Sequence, residues 1–137
     1  MAHTKFPCEV LTPEGEVFSG DVEMVSTRTT LGLIAILAHH APLLARLEPT
    51  ELRFYRGESD VARYAQAEGF MQMSENHVLL LLEEALEIDS LERGQLEQDR
   101  DRARSALEAA PEGSEEAARA GRELRRTDAF LRILDAR

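Results

Sequence analysis

The chain has 137 residues, one domain or a small domain with an appendage, and carries 26 acidic against 16 Lys and Arg side chains, a net charge of −10. That balance argues against nucleic-acid binding, which needs cations to displace phosphate counterions, and against adsorption to anionic lipid. One cysteine rules out an intrachain disulfide, and no apolar run approaches the roughly 20 residues of a membrane span.

The opening residues lack the apolar core of a signal peptide, so the chain is expected to be soluble and intracellular. Residues 5 to 87 then show strand-length apolar stretches cut by turn signals, the pattern of a sandwich or barrel. Lys5 to Leu11 ends in the turn chemistry of Thr12-Pro13-Glu14-Gly15. Val17 and Phe18 follow, and Val22 and Met24 alternate with Asp21 and Glu23 as a half-buried strand requires. Leu31 to Leu37 is nearly continuous in apolar residues, which predicts a strand buried on both sides. Leu52 and Phe54 alternate with Arg53 and Tyr55, and Arg56 to Asp60 forms a hairpin turn into Val61 to Gln66. Phe70, Met71 and Met73 precede a turn at Ser74 to His77, after which Val78 to Leu82 runs into the core.

From Asp89 the period becomes helical. Asp89 with Glu92 reads as a capping box opening a helix over about 90–109. Pro111-Glu112-Gly113-Ser114 breaks it, and Ser114 caps a second helix over Glu115 to Asp135. The short connection predicts an antiparallel αα-hairpin. Its apolar faces are poor: Leu91, Leu96, Ala103, Ala106, Leu107 and Ala110 against Ala117, Ala120, Gly121, Leu124, Leu131 and Leu134. Each Ala in place of Leu forgoes about 2 kcal/mol of burial. The predicted architecture is thus a strand-rich body over 1–87 and a loosely held helical hairpin over 88–137.

Catalytic signatures are missing. His39 and His40 adjoin in a predicted loop with no HExxH beside them, Cys8 sits in a strand as a small buried residue, and no GxSxG, phosphate loop or GxGxxG occurs. No enzyme, no metal site and no cofactor are expected.

Three segments carry a family resemblance. Val10 to Val22, with its Thr12-Pro13-Glu14-Gly15 turn, resembles the opening of the epsilon subunit of F-type ATP synthases. Gly32-Leu33-Ile34-Ala35-Ile36-Leu37-Ala38-His39-His40-Ala41-Pro42-Leu43-Leu44 is similar to the next segment of that family, and Ala67-Glu68-Gly69-Phe70 with Val78 to Leu82 and Ala85 to a third. The resemblance implies an N-terminal ten-stranded β-sandwich followed by a C-terminal antiparallel αα-hairpin. It implies a non-catalytic rotor subunit on the central stalk, binding the gamma subunit and the membrane c-ring, with helices that in many bacteria extend toward the alpha and beta subunits and inhibit ATP hydrolysis. It also implies a place on the cytoplasmic face of the bacterial plasma membrane, reached through other subunits.

Departures from the family shape the site expectations. Leu33 stands where an acidic residue is common in that family and Ala35 where glycine is common, so the resemblance implies a more apolar ring contact at Leu33, with Arg28 or His40 supplying its polar part. The alternative for His40 is a loop-structuring residue ahead of Pro42. Some members bind ATP at the hairpin, and the matching candidates are Asp89, Arg93, Arg122 and Arg126. Arg93 falls one place late in that motif, a rotation of about 100° on a helix, so nucleotide binding is not expected. Arg119, Arg122, Arg125 and Arg126 are the candidate regulatory face of the second helix, against a plain reading as a solvated basic face. The competing architecture is a free-standing β-sandwich ligand-binding module with a helical oligomerisation tail.

Overall fold

The structure, a computed structural model, describes residues 3–137. Contacts gather the chain into two compact units, 1–87 and 88–137.

The first unit holds ten strands: β1 (Phe6–Thr12), β2 (Gly15–Val22), β3 (Met24–Thr29), β4 (Gly32–Leu37), β5 (Leu43–Leu47), β6 (Thr50–Tyr55), β7 (Val61–Gln66), β8 (Gly69–Ser74), β9 (His77–Leu82) and β10 (Ala85–Glu87). They form one hydrogen-bonded sheet in the order β10-β7-β6-β3-β5-β8-β9-β1-β2, with β4 on the other side of β3. The sheet folds over at a single pairing, Thr29 with Leu47, and becomes a sandwich. Inward side chains fill it, among them Phe6, Val10, Phe54, Met71, Met73 and Leu80, all essentially buried. Phe18 of β2 stacks on Phe54 of β6 at 4.3 Å between centroids, with Tyr64 of β7 edge-on to both.

Two turns use the same chemistry. In Thr12-Pro13-Glu14-Gly15 the threonine hydroxyl accepts from the Glu14 N–H and donates to the Gly15 carbonyl. In Thr29-Thr30-Leu31-Gly32 it accepts from the Leu31 N–H and donates to the Gly32 carbonyl. Both glycines have positive φ, 121° and 126°, which L side chains rarely adopt.

Buried polar groups are satisfied where the sheet divides. The Thr27 hydroxyl donates to Gln66 Oε1 at 2.7 Å, and Gln66 Nε2 donates to the Glu48 carbonyl at 2.8 Å. Gln66 thereby fills the gap where β6 has left β3 on its way to the corner.

Three local expectations are corrected. The Leu31–Leu37 stretch is not buried on both sides: β4 pairs with β3 at an edge, and Leu33 is 73% exposed while Ile36 is fully buried. Leu31 belongs to the turn and is 98% exposed. The Val78–Leu82 run likewise alternates, with Leu81 facing outward. At the start of the hairpin, Ile88–Ser90 forms a short 3-10 turn instead of a capping box. The first helix, α1, begins at Arg93 and runs to Ala109, and Glu92 precedes it without a side-chain capping bond.

The rest of the second unit follows its sequence closely. α2 spans Glu115–Asp135, and the Ser114 hydroxyl accepts the Ala117 N–H at 3.1 Å as its N-cap. The two helices pack together through short side chains, and α1 buries only Leu96 and Ala103. On α2 the buried positions move toward the C-terminal half, where Thr127, Ala129, Phe130, Leu131 and Ile133 are covered.

Candidate docking surfaces

Among the described residues no group of three or more His, Cys, Asp or Glu side chains could hold a metal ion. Cys8 is 1% exposed, and burial, aided by the neighbouring Glu9 charge, pushes its thiol well above its ordinary value. A thiol in that environment stays protonated and packs as a small apolar group.

The informative surface is apolar. Across the outer face of the β5-β8-β9-β1 layer, strand register sets Arg46 beside Phe70, Phe70 beside Leu81, and Leu81 beside Leu11. Phe70 is 50% exposed. With Pro13 and Glu83 these residues line a cleft of about 360 Å³. Leu44, two residues before Arg46 on the same strand face, adds a further exposed leucine. Period-2 alternation normally gives an outward face to polar residues, so a row of apolar ones across neighbouring strands marks a surface shaped for contact.

Gly69 permits this arrangement. It pairs with Leu82 on one side and Leu47 on the other. A Cβ there would collide with the Leu81 carbonyl oxygen and stand 2.9 Å from Leu82 Cα. Only glycine lets β8 and β9 approach this closely beside the cleft.

A second apolar patch surrounds the β3–β4 turn. Leu33 pairs directly with Arg28, so two of the three expected ring-contact residues are neighbours. His40 is elsewhere: it follows the far end of β4, and that end, Leu37, is about 13 Å along the strand from Leu33 at 3.3 Å per residue. Its Nδ1 donates to the Ala41 carbonyl at 2.7 Å, and its N–H to the Leu37 carbonyl. The preceding His39 has φ of 63° and donates its N–H to Asn76 Oδ1 at 2.7 Å. Both histidines thus shape the turn that leads to Pro42.

The four nucleotide candidates are not brought together either. Arg93 Nη2 meets the Asp135 carboxylate at 2.8 Å, and Asp89 meets Arg137 Nη1 at 3.2 Å. Arg122 lies thirteen residues before Asp135 on α2, about 20 Å along the axis at 1.5 Å per residue. Arg126 pairs with Glu123 at 3.1 Å and lies over the Phe130 ring, 4.8 Å from its centroid. Of the candidate regulatory arginines, Arg119, Arg122 and Arg125 are exposed and Arg126 is half-buried.

Sequence reasoning missed Phe70, Leu81, Leu44 and Arg46 as surface residues. For Phe70, Leu81 and Leu44 the signal was present as apolar side chains at outward strand parity, but parity is readable only once the register is known.

Comparison with known proteins bears on these surfaces. Residues 5–88 match the family model for the β-sandwich domain of the ATP synthase delta/epsilon chain. The ATP synthase epsilon chain of Persephonella marina is 38% identical over 87 residues, 64% of this chain and 64% of that one, so this match spans just under two thirds of the relative. The epsilon chain of Herpetosiphon aurantiacus is 34% identical over 129 residues, 94% of this chain and 93% of that one. In fold, a chain in the structure of the Euglena gracilis mitochondrial ATP synthase (OSCP/F1/c-ring) is similar with a TM-score of 0.83 at 16% identity, over 98% of this chain and 84% of that chain. A sandwich of this topology, matched by the family model along its length and by epsilon chains beyond it, places the chain in the ATP synthase delta/epsilon family, among the synthase's non-catalytic accessory subunits.

Proposed function

We propose that this chain is a rotor subunit of the central stalk, docking on the gamma subunit through the outer β5-β8-β9-β1 face and on the c-ring through the β3–β4 turn. The observation that carries the reading is the row Phe70–Leu81–Leu11 on the outside of a net-acidic sandwich. Burying about 800 Å² per partner is ordinary for a stable interface, and an apolar row flanked by Arg46 and Glu83 suits its centre. Arg28 and Leu33 offer the ring a mixed cationic and apolar contact, with His40 setting the turn beyond β4. In this role the chain transmits proton-driven rotation to ATP synthesis without chemistry of its own. It reaches the cytoplasmic face of the bacterial plasma membrane only through its partners, and no helix among the described residues is long and apolar enough to cross one.

The hairpin is the regulatory part of this proposal. Extended, it brings Arg119, Arg122, Arg125 and Arg126 to acidic surfaces of the alpha and beta subunits and slows ATP hydrolysis. Its nucleotide candidates are dispersed, and Asp89, Arg93 and Arg126 each face an opposite protein charge, which supports a hairpin held without ATP.

Co-expression with the gamma subunit tests the docking face. The native chain should co-purify at unit stoichiometry, and Phe70→Asp with Leu81→Asp should lose the complex while keeping its β-sheet spectrum. Co-purification of that double variant at native yield refutes the face. Deletion of residues 89–137 should speed ATP hydrolysis by the assembled enzyme, and an unchanged rate refutes the inhibitory role. A free-standing ligand-binding module would instead leave gamma behind and run as a homo-oligomer.

A further inference from the structure

The hairpin has an uneven distribution of cohesion. α1 contributes only Leu96 and Ala103 to the buried set, and the large buried side chains of α2, Phe130, Leu131 and Ile133, are confined to its C-terminal half. At its open end, where α1 begins and α2 finishes, four charges make two ion pairs between the two arms of the helical hairpin. Arg93 pairs with Asp135 at 2.8 Å and Asp89 with Arg137 at 3.2 Å.

The signs of these charges are telling. A helix N-terminus favours anions and a C-terminus favours cations. Asp89, just ahead of α1, and Arg137, just past the end of α2, follow that preference. Arg93 and Asp135 oppose it: a cation opens α1 and an anion closes α2. Each is unfavourable at its own helix end, and the two meet across the hairpin. Charges chosen for their own helices would stand the other way round.

We propose that these four residues form an electrostatic clasp that sets how readily the hairpin separates. Separation removes both partners at once and leaves Arg93 and Asp135 stranded at helix ends that disfavour them. All four side chains are solvent-accessible, so the clasp is adjustable by salt and contributes a modest bias, not a permanent weld. This makes the resting hairpin closed but releasable, and it deepens the regulatory reading above, on which its consequence for hydrolysis rests.

Hydrogen exchange on the full-length chain tests the clasp independently of that reading. A separated helix of this length is marginal in water, so opening exposes the α1 amides between Leu96 and Ala103. Arg93→Asp should raise their exchange about fivefold, the effect of losing one exposed ion pair. Asp135→Asn should raise it in the same direction, and raised salt should do so in the native chain. The swap Arg93→Asp with Asp135→Arg should restore native exchange or slow it further, since the pair is rebuilt with signs that suit each helix. Unchanged β-strand amides in each variant show that the first unit is intact. A purely local role has the opposite sign: Arg93→Asp alone would relieve the helix end and slow exchange. Slower or unchanged exchange in Arg93→Asp overturns the clasp. Hydrolysis by the assembled enzyme then tests the regulatory reading separately: faster exchange with unaltered inhibition leaves the clasp standing and removes its regulatory consequence.

Discussion

Gly69→Ala adds one methyl where two neighbouring strands leave no room for it. The added Cβ would meet the Leu81 carbonyl oxygen and the Leu82 Cα, the latter at 2.9 Å where ordinary contacts are 3.4–4 Å. Both obstacles are backbone atoms, so no side chain can rotate aside and β9 itself must move. Overpacking of this kind costs about 1–3 kcal/mol, and weakening one ladder hydrogen bond between β8 and β9 adds about 1 kcal/mol. We expect a loss of about 3 kcal/mol. With a urea slope of about 1 kcal/mol per molar for a unit of this size, the midpoint should fall by about 3 M. The protein supplies its own reporter: it has no tryptophan, and its two tyrosines, Tyr55 and Tyr64, both belong to the first unit. Tyrosine fluorescence therefore follows the sandwich while helical ellipticity follows mainly the hairpin. Gly94→Ala is the control, since nothing lies within 4 Å of its added Cβ and the helix gains up to about 1 kcal/mol. A Gly69→Ala midpoint within 0.5 M of native, on the order of 0.5 kcal/mol, would refute the close-approach argument.

Alkaline stability should depend on Cys8. Burial raises its folded pKa above the unfolded value near 9, so the unfolded thiol ionises first as pH rises. Stability present below that value is lost above it by about 1.4 kcal/mol per pH unit, and Cys8→Ala should reduce the slope between pH 9 and 11 in calorimetric melts, with Tyr64, whose phenol burial also raises, supplying part of what remains. Calorimetric titration with magnesium and ATP should show no micromolar binding, because Arg93 and Arg122 stand too far apart to share one phosphate chain; micromolar affinity would overturn that geometry.

Local chemistry in the sequence was legible wherever neighbours in the chain decide the outcome. Thr12-Pro13-Glu14-Gly15 announces its turn, Ser114 caps α2, and Leu52 and Phe54 alternate with polar residues as they should. Errors arose where the deciding partner is distant. An apolar run such as Leu31–Leu37 looks the same whether its outward side meets a second layer or a docking partner, and only the edge position of β4 separates the two. Asp89 has the chemistry of a cap, yet its carboxylate meets Arg137, forty-eight residues later.

The parallel pairing of β1 with β9 has a consequence for biosynthesis. β2 covers one edge of Cys8 to Leu11 at once, but the other edge finds its partner only in Val78 to Leu81, so β1 stays half-paired until nearly the last strand of its unit is made. A nascent chain halted before β9 carries open edges on both β1 and β8, the kind of unpaired backbone that recruits other strands or a quality-control protease. Long-range closure of this sort is slow beside the folding of a local helical hairpin. Translation delivers the hairpin after β9, so the strand unit can close while the helical unit is still being made.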